Sequence, residues 1–202
     1  HDYTHTSTLS NFKQPNIQKT LDKYCQGFYN VNMIQVIDDY LKPEEHELIK
    51  SYVMGENDRG NIKDSFLWQW QVESCDGHPQ FCHLLYSNYL VHSQYFEMVR
   101  PILNKEEMVS IAKIKANLLT RTEDVVVYDK CFHQDFSPES SKIMITGIYY
   151  VNSNNGYTLF EDGTRVESVA NRYLRFSGDL RHTGTSCSDE DRRVLINFNY
   201  YV

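Results

Sequence analysis

The feature that most constrains this chain is the rhythm of its C-terminal half. From Ile111 onward, short apolar segments alternate with turns: Ile111 to Leu119, Val125 to Phe132, Ile143 to Val151, Tyr157 to Phe160, Tyr173 to Phe176 and Val194 to Val202. Such runs, bounded by polar turn residues, read as strands, and Asn155-Gly156 and Asp162-Gly163 are strong hairpin-turn signals. An antiparallel series of this kind, preceded by helices, suits a jelly roll. We therefore expect a mainly β fold with flanking helices: a double-stranded β-helix core with N-terminal helices packed on its outside.

Within that half lies Phe132-His133-Gln134-Asp135-Phe136, to be read with Arg181-His182-Thr183 and Arg193. A His and an Asp two apart on an extended strand put both side chains on one face. His182 can reach them only if the intervening strands fold back over that face. Two imidazoles and a carboxylate converging on a point are the ligand set that holds non-haem Fe(II) with coordination positions left open. His-x-Asp alone arises easily by chance, so its company matters. Arg193 lies at the head of the last strand, and a fixed guanidinium beside an iron site suits an anionic co-substrate. On that strand Arg193, Leu195, Asn197 and Asn199 share one face, and Val194, Ile196, Phe198 and Tyr200 the other. Periodicity alone does not choose between Arg192 and Arg193.

These segments resemble the Fe(II)- and 2-oxoglutarate-dependent dioxygenases, in particular their prolyl 4-hydroxylase-like branch, which includes small enzymes encoded by bacterial viruses. The residues that carry the resemblance are His133-x-Asp135, Ile148 to Asn152, Gly156 to Phe160, Asn171 to Phe176, His182 and Arg193 to Asn197. They span roughly Ile111 to Val202, and the N-terminal half matches only loosely. The resemblance implies catalytic iron ligation by His133, Asp135 and His182, and a salt bridge from Arg193 to the distal carboxylate of 2-oxoglutarate. Family spacing from His182 favours Arg193 over Arg192. It places the Tyr150 hydroxyl on that same carboxylate and makes Tyr128 and Asn197 further co-substrate contacts. The implied cofactors are Fe(II), 2-oxoglutarate and O2, with ascorbate a further candidate. The implied reaction is hydroxylation of an unactivated C-H bond coupled to decarboxylation of 2-oxoglutarate to succinate and CO2, and the branch favours prolyl hydroxylation of a peptide or protein. The family's paired glycines after the Tyr-Tyr strand stand here as Asn155-Gly156.

Length and composition fit one such domain. With 202 residues, 41% hydrophobic and 23% charged, the chain can bury one sizeable core. We expect residues 1–110 to supply helices and supporting strands, and residues 111–202 the jelly roll with the metal site. A net charge of -7 without a basic tract makes nucleic acid a less favoured partner than a peptide, a protein or a small molecule. No long apolar run is present and the first thirty residues are polar, so we expect neither a membrane span nor a secretory signal. Five irregularly spaced cysteines point to reduced thiols and a cytoplasmic setting, the host cytoplasm for a phage-encoded chain. Cys131 reads as a small packing residue.

Ahead of the core, residues 1 to 15 read as an arm and Ile17 to Phe28 as an amphipathic helix; Met33 to Tyr40 reads as a strand. Lys42-Pro43-Glu44-Glu45 starts a helix buried through Leu48, Ile49, Tyr52 and Val53. Gly55 to Ser65 reads as a surface loop. Phe66 to Val72 is a strand with Trp68 and Trp70 packed on one face, and Phe81 to Val91 is another. Ser93 to Leu103 is a helix that Pro101 interrupts or ends. His78, His83 and His92 read as surface or packing residues. Two rival readings stand beside the dioxygenase: a non-redox cupin-type metal protein, and a jelly-roll binding or virion protein without catalysis. Hydroxylation of a small molecule or a nucleobase would use the same iron chemistry.

Overall fold

The structure is a computed structural model that describes residues 34–55, 65–71 and 80–202. The arm and first helix expected before Met33, and most of the Gly55 to Ser65 loop, lie outside that range. The described chain runs β1 (Gln35–Ile37), α1 (Pro43–Val53), β2 (Gln69–Gln71), β3 (Gln80–Ser87) and β4 (Leu90–Val91). A 3-10 turn (Phe96–Val99) then leads into α2 (Arg100–Lys105) and β5 (Ser110–Thr120). A second 3-10 turn (Asp129–Cys131) and α3 (Pro138–Ser141) precede β6 (Ile145–Tyr150), β7 (Tyr157–Phe160), β8 (Arg165–Glu167), β9 (Arg172–Ser177), β10 (His182–Gly184) and β11 (Arg192–Tyr201).

Antiparallel pairing orders the larger sheet β1-β9-β6-β11-β5-β3-β2, with β4 on β3, and the smaller sheet β10-β7-β8. This is the expected double-stranded β-helix. Its core lies between the sheets, where Ile148 and Tyr150 of β6, Phe160 of β7, Val166 of β8, Leu174 and Phe176 of β9 and Leu195 of β11 pack together. Strand β11 is the spine, paired along one edge with β5 and along the other with β6. Its alternation is as the sequence suggests, with Arg193, Leu195 and Asn197 facing the cavity between the sheets. On the opposite face of the large sheet Tyr173 stacks on Tyr40, and Tyr149 meets His46 of α1, whose Nδ1 lies 2.6 Å from the Tyr149 hydroxyl. The buried Glu106 carboxylate, just past α2, ties this layer together by accepting from the Tyr40 and Tyr200 hydroxyls, each at 2.6 Å.

Several expected elements are rearranged. Phe81 to Val91 is not one strand but a hairpin, because Asn88 and Tyr89 both adopt positive φ (51° and 61°), the backbone of a tight primed turn. Pro101 neither interrupts nor ends its helix. It occupies the first turn of α2, where no amide donor is needed. Met33 to Tyr40 is strand only over β1. Trp70 is 56% exposed rather than packed under helices, and Leu48 faces solvent while α1 buries His46, Ile49 and Val53. Asp162-Gly163 does join the β7–β8 hairpin. Asn155-Gly156 does not make a hairpin: β6 and β7 belong to different sheets, and the segment crosses between them. Gly156 is needed there for closeness, since a Cβ would stand 2.7 Å from Arg193 Cδ and 2.6 Å from Ser186 O. The longest departure is Val125 to Phe132. It is not a strand but an irregular segment with a 3-10 turn, tied to the rest by isolated bridges. Cys131 is disulfide-bonded, against the expectation of reduced thiols, whereas Cys82 and Cys187 are free.

Gly147, central in β6, tests the packing of the tyrosine layer. A Cβ there would lie 2.0 Å from Tyr173 Oη, and the fully buried Tyr173 ring, stacked 4.5 Å from Tyr40, has no room to retreat. Gly147→Ala should cost about 1–3 kcal/mol by overpacking, read as a lowered urea midpoint at unchanged slope.

Candidate metal centre and its cavity

The two histidines meet through their backbones. His133 N donates to His182 O at 3.0 Å and His182 N donates to His133 O at 3.1 Å, an isolated antiparallel bridge. Residues opposed in this way project to the same side, and the rings stand with centroids 4.9 Å apart. The irregular segment is fixed by further bonds: Gln134 Nε2 to Asp179 O at 2.6 Å, Arg181 Nη2 to Phe132 O at 2.6 Å, and Thr183 Oγ1 to Tyr128 O at 2.9 Å. His133 and Asp135 do lie on one side, although no regular strand carries them.

One ligand atom from each of His133, Asp135 and His182 lies within 4.8 Å of the others. Each imidazole is oriented alike. His133 Nδ1 is 2.8 Å from Cys131 O and His182 Nδ1 is 3.1 Å from Leu180 O, in both cases the carbonyl two residues earlier. A carbonyl only accepts, so each Nδ1 carries the proton and each Nε2 keeps its lone pair. Asp135 is similarly committed on one side, since Oδ2 accepts from Asn199 Nδ2 at 2.8 Å and from Thr146 Oγ1 at 3.2 Å. Its Oδ1 faces His133 Nε2 at 3.7 Å. Two free imidazole nitrogens and one free carboxylate oxygen, each held from behind, fit a divalent transition ion of the Fe(II) type.

The local electrostatics agree. Burial alone would raise the Asp135 carboxyl. The nearby His133 and His182 imidazoles, the Lys113 ammonium and the hydrogen bond from the Asn199 amide outweigh it and hold the group below the ordinary carboxylate range. Burial lowers His182 against the pull of Asp135, whereas the facing Asp135 carboxylate raises His133 despite burial. Phe176 meets His182 edge-on at 4.8 Å, and its side of the site is closed: His182 is only 4% exposed, while the His133 side chain is half exposed.

The triad opens into a cavity of about 240 Å³, which Arg193, Asn197 and Tyr128 also line. Arg193 is 1% exposed. Its Nε donates to Ser168 Oγ at 2.8 Å, and its other nitrogens make only long contacts, 3.4 Å each, to Thr185 O and Thr158 Oγ1. Among the described residues no carboxylate pairs with it. Arg192 points away, donating to Met54 O at 2.9 Å, so the ambiguity in the sequence is resolved in favour of Arg193 as the cavity residue. Tyr150 does not line the cavity. It is fully buried, with its hydroxyl 2.8 Å from Thr158 Oγ1, and so stands behind the Thr158 that touches Arg193. The Asn197 Oδ1 atom is buried without a hydrogen-bond partner. Thr146, Thr158, Lys113 and Lys115 are additions. The lysines were legible as an i, i+2 pair on β5, while the threonines gave no signal before the register was known.

No protein-family model and no curated protein sequence matches this chain. Solved structures do. A prolyl hydroxylase from Trichoplax adhaerens, in complex with a hypoxia inducible factor oxygen degradation domain peptide fragment, is similar with TM-score 0.57 and 12% identity, over 94% of this chain and 94% of that one. The non-haem α-ketoglutarate-dependent carbocyclase SnoK of nogalamycin biosynthesis is similar with TM-score 0.57 and 11% identity, over 91% and 85%. A Pseudomonas putida prolyl-4-hydroxylase follows with TM-score 0.50 and 14% identity, over 90% and 98%. The chain shares the fold of these proteins. No described helix is long and apolar enough to cross a membrane.

Both imidazoles must be neutral to bind an ion, and His133 has a raised affinity for its proton. Metal binding should therefore be fully developed above the raised His133 pKa and weaken as the pH falls through it. Titration with Mn(II) by calorimetry from about pH 8 to about pH 5.5 should show the logarithm of affinity falling by about one per pH unit at the acid end. A flat profile would remove His133 from the site.

Proposed function

We propose that this protein is an Fe(II)- and 2-oxoglutarate-dependent dioxygenase that hydroxylates an unactivated C-H bond. The observation that carries this reading is Arg193, a buried guanidinium without a counter-charge among the described residues, on the wall of the cavity into which two imidazoles and a carboxylate also open. Leaving a charge unpaired in a protein interior costs several kcal/mol, so the site calls for an anion that arrives with the ligand. A dicarboxylate with one end on Arg193 and the other at the triad meets that need.

His133, Asp135 and His182 would hold the metal through Nε2, a carboxylate oxygen and Nε2. Bound there, Fe(II) supplies the activation of dioxygen and the oxidative decarboxylation of 2-oxoglutarate that a polypeptide alone lacks. The chain contributes position and dryness. Asn199 and Thr146 fix the Asp135 rotamer, and the carbonyls of Cys131 and Leu180 fix both imidazole tautomers. Arg193, with Thr158 and the Tyr150 behind it, would anchor the distal carboxylate. Tyr128 and Asn197 would complete the polar wall, the open Oδ1 of Asn197 accepting from a donor on the substrate. Phe160 and Phe176 keep water from the His182 side.

The substrate favoured first is a prolyl residue of a peptide or protein, in keeping with the residue pattern and the likeness to prolyl hydroxylases. The equal likeness to SnoK supports hydroxylation of a small molecule as the second reading.

Two substitutions separate the roles. His182→Ala should abolish both metal uptake and succinate formation from 2-oxoglutarate; normal turnover in that variant would eliminate the assignment. Arg193→Leu should keep metal uptake but weaken 2-oxoglutarate binding by roughly a hundredfold, the scale of an unpaired buried charge. Unchanged affinity would shift the role to another cation.

A further inference from the structure

Lys113 and Lys115 on β5 both point into the same cavity. In register with β11, Lys115 lies opposite Asn197 and Lys113 opposite Asn199, the residue that holds Asp135. The two ammonium groups therefore stand at the metal end of the cavity floor, whereas Arg193 lies further along β11, opposite Leu119. Neither lysine has a carboxylate within ion-pair distance among the described residues. Lys113 lies over the Phe136 ring, 4.9 Å from its centroid, and Lys115 reaches the Cys82 thiol. Among the described residues the one acid on the cavity wall is Asp135, which on the dioxygenase reading is committed to the metal. With a divalent ion bound by the triad and a dianionic 2-oxoglutarate running to Arg193, these lysines remain as uncompensated positive charge, in a chain whose net charge is -7. A neutral substrate would bring no counter-anion to two partly buried ammonium groups that have no ion-pair partner among the described residues.

We infer that the substrate carries an oxyanion, a carboxylate or a phosphate, which Lys113 and Lys115 hold beside the reacting carbon. This rests on the dioxygenase reading and narrows it: the lysines choose the substrate, while Arg193 serves the co-substrate. The flexible ammonium stems accept either anion, as point charges rather than a planar fork. Phe136 and Asn197 frame the pair, so the anionic group enters from the half-exposed His133 side.

The test uses the Mn(II)-loaded protein without oxygen and with saturating 2-oxoglutarate, so that binding is read by calorimetry apart from turnover. The probes are capped tripeptides containing proline next to Gln, Glu or phosphoserine, together with free proline and free glutamate. We expect the Glu or phosphoserine peptide, or the free acid, to bind at least about tenfold more tightly than the Gln peptide. Lys113→Gln with Lys115→Gln should erase that preference at unchanged 2-oxoglutarate affinity, and Lys→Arg at both positions should retain it. Should both lysines be needed for folding, either single substitution with the same probes decides. Equal binding of charged and neutral probes, no binding of any anionic probe, or a preference that survives the double substitution would overturn the inference and leave the dioxygenase standing. So would a loss that appears in 2-oxoglutarate affinity instead. A wild-type protein that takes up metal but does not bind 2-oxoglutarate would bring down both readings.

Discussion

Two reciprocal hydrogen bonds between His133 and His182 decide what this cavity can be. They join a segment outside the regular sheets to the edge of the smaller one, across forty-nine residues of sequence. A single antiparallel rung suffices to set two side chains parallel, but one rung alone is weak, each bond being worth about 0.5–1.5 kcal/mol net. The segment is held because the rung is one of several ties. The Val127–Thr185 bridge lies on one side of it, and Gln134, Arg181 and Thr183 each span the gap with a side chain to a carbonyl. The irregular stretch thus gains fixed geometry without the pleat, and the absence of pleat lets Asp135 turn inward to the Asn199 amide.

The spine strand β11 carries the complementary demand. Strands on both sides satisfy its backbone, so its inward side chains can be spent on chemistry rather than on closing the sheet. Arg193, Asn197 and Asn199 replace what would otherwise be core aliphatics, and each is a liability: among the described residues, a cation without an anion and two carboxamide oxygens without donors. The outer face offsets this cost. There Ile196, Phe198 and Tyr200 are fully buried beneath the tyrosine layer, and burial of such side chains contributes on the order of 1.5–3 kcal/mol each. Stability on one face of the strand permits instability on the other, a division that the alternation of a single ten-residue strand is enough to produce.

That alternation is also why so much was legible in the sequence. Apolar runs bounded by turn residues marked β5, β6, β7, β9 and β11, and once the alternation of the last strand was phased, Arg193 and Asn197 had to share a face. The elements that were misread are those where local chemistry competes with the pattern. Val125 to Phe132 is apolar enough for a strand, yet its hydrogen bonds go to a 3-10 turn and to the side chains of Arg181, Thr183 and Ser186 in and around β10. Asn155-Gly156 has hairpin composition, but Gly156 is there because Arg193 and Ser186 pass too close for a Cβ, a requirement of tertiary structure with no local signature. Tyr150 follows from the resemblance as a co-substrate contact; it is fully buried, with its hydroxyl on Thr158, and is not among the residues lining the cavity. Strand spacing gives the face of a residue but not its depth.

Depth gives the cavity a direction. His182 is closed off by Phe160 and Phe176, and Arg193 lies buried on the cavity wall beside Thr158 and Ser168, whereas the His133 side chain remains half exposed. Anything anchored on Arg193 must therefore enter first, because a substrate seated at the His133 side would block the way to it. On the dioxygenase reading, burial alone would set the order of binding: metal, dicarboxylate, substrate. The same gradient confines the uncompensated guanidinium to the part of the cavity that water reaches least, where low dielectric makes its pull on a carboxylate strongest. Lys113 and Lys115, at the metal end of the same floor, are only partly buried and keep some solvent contact.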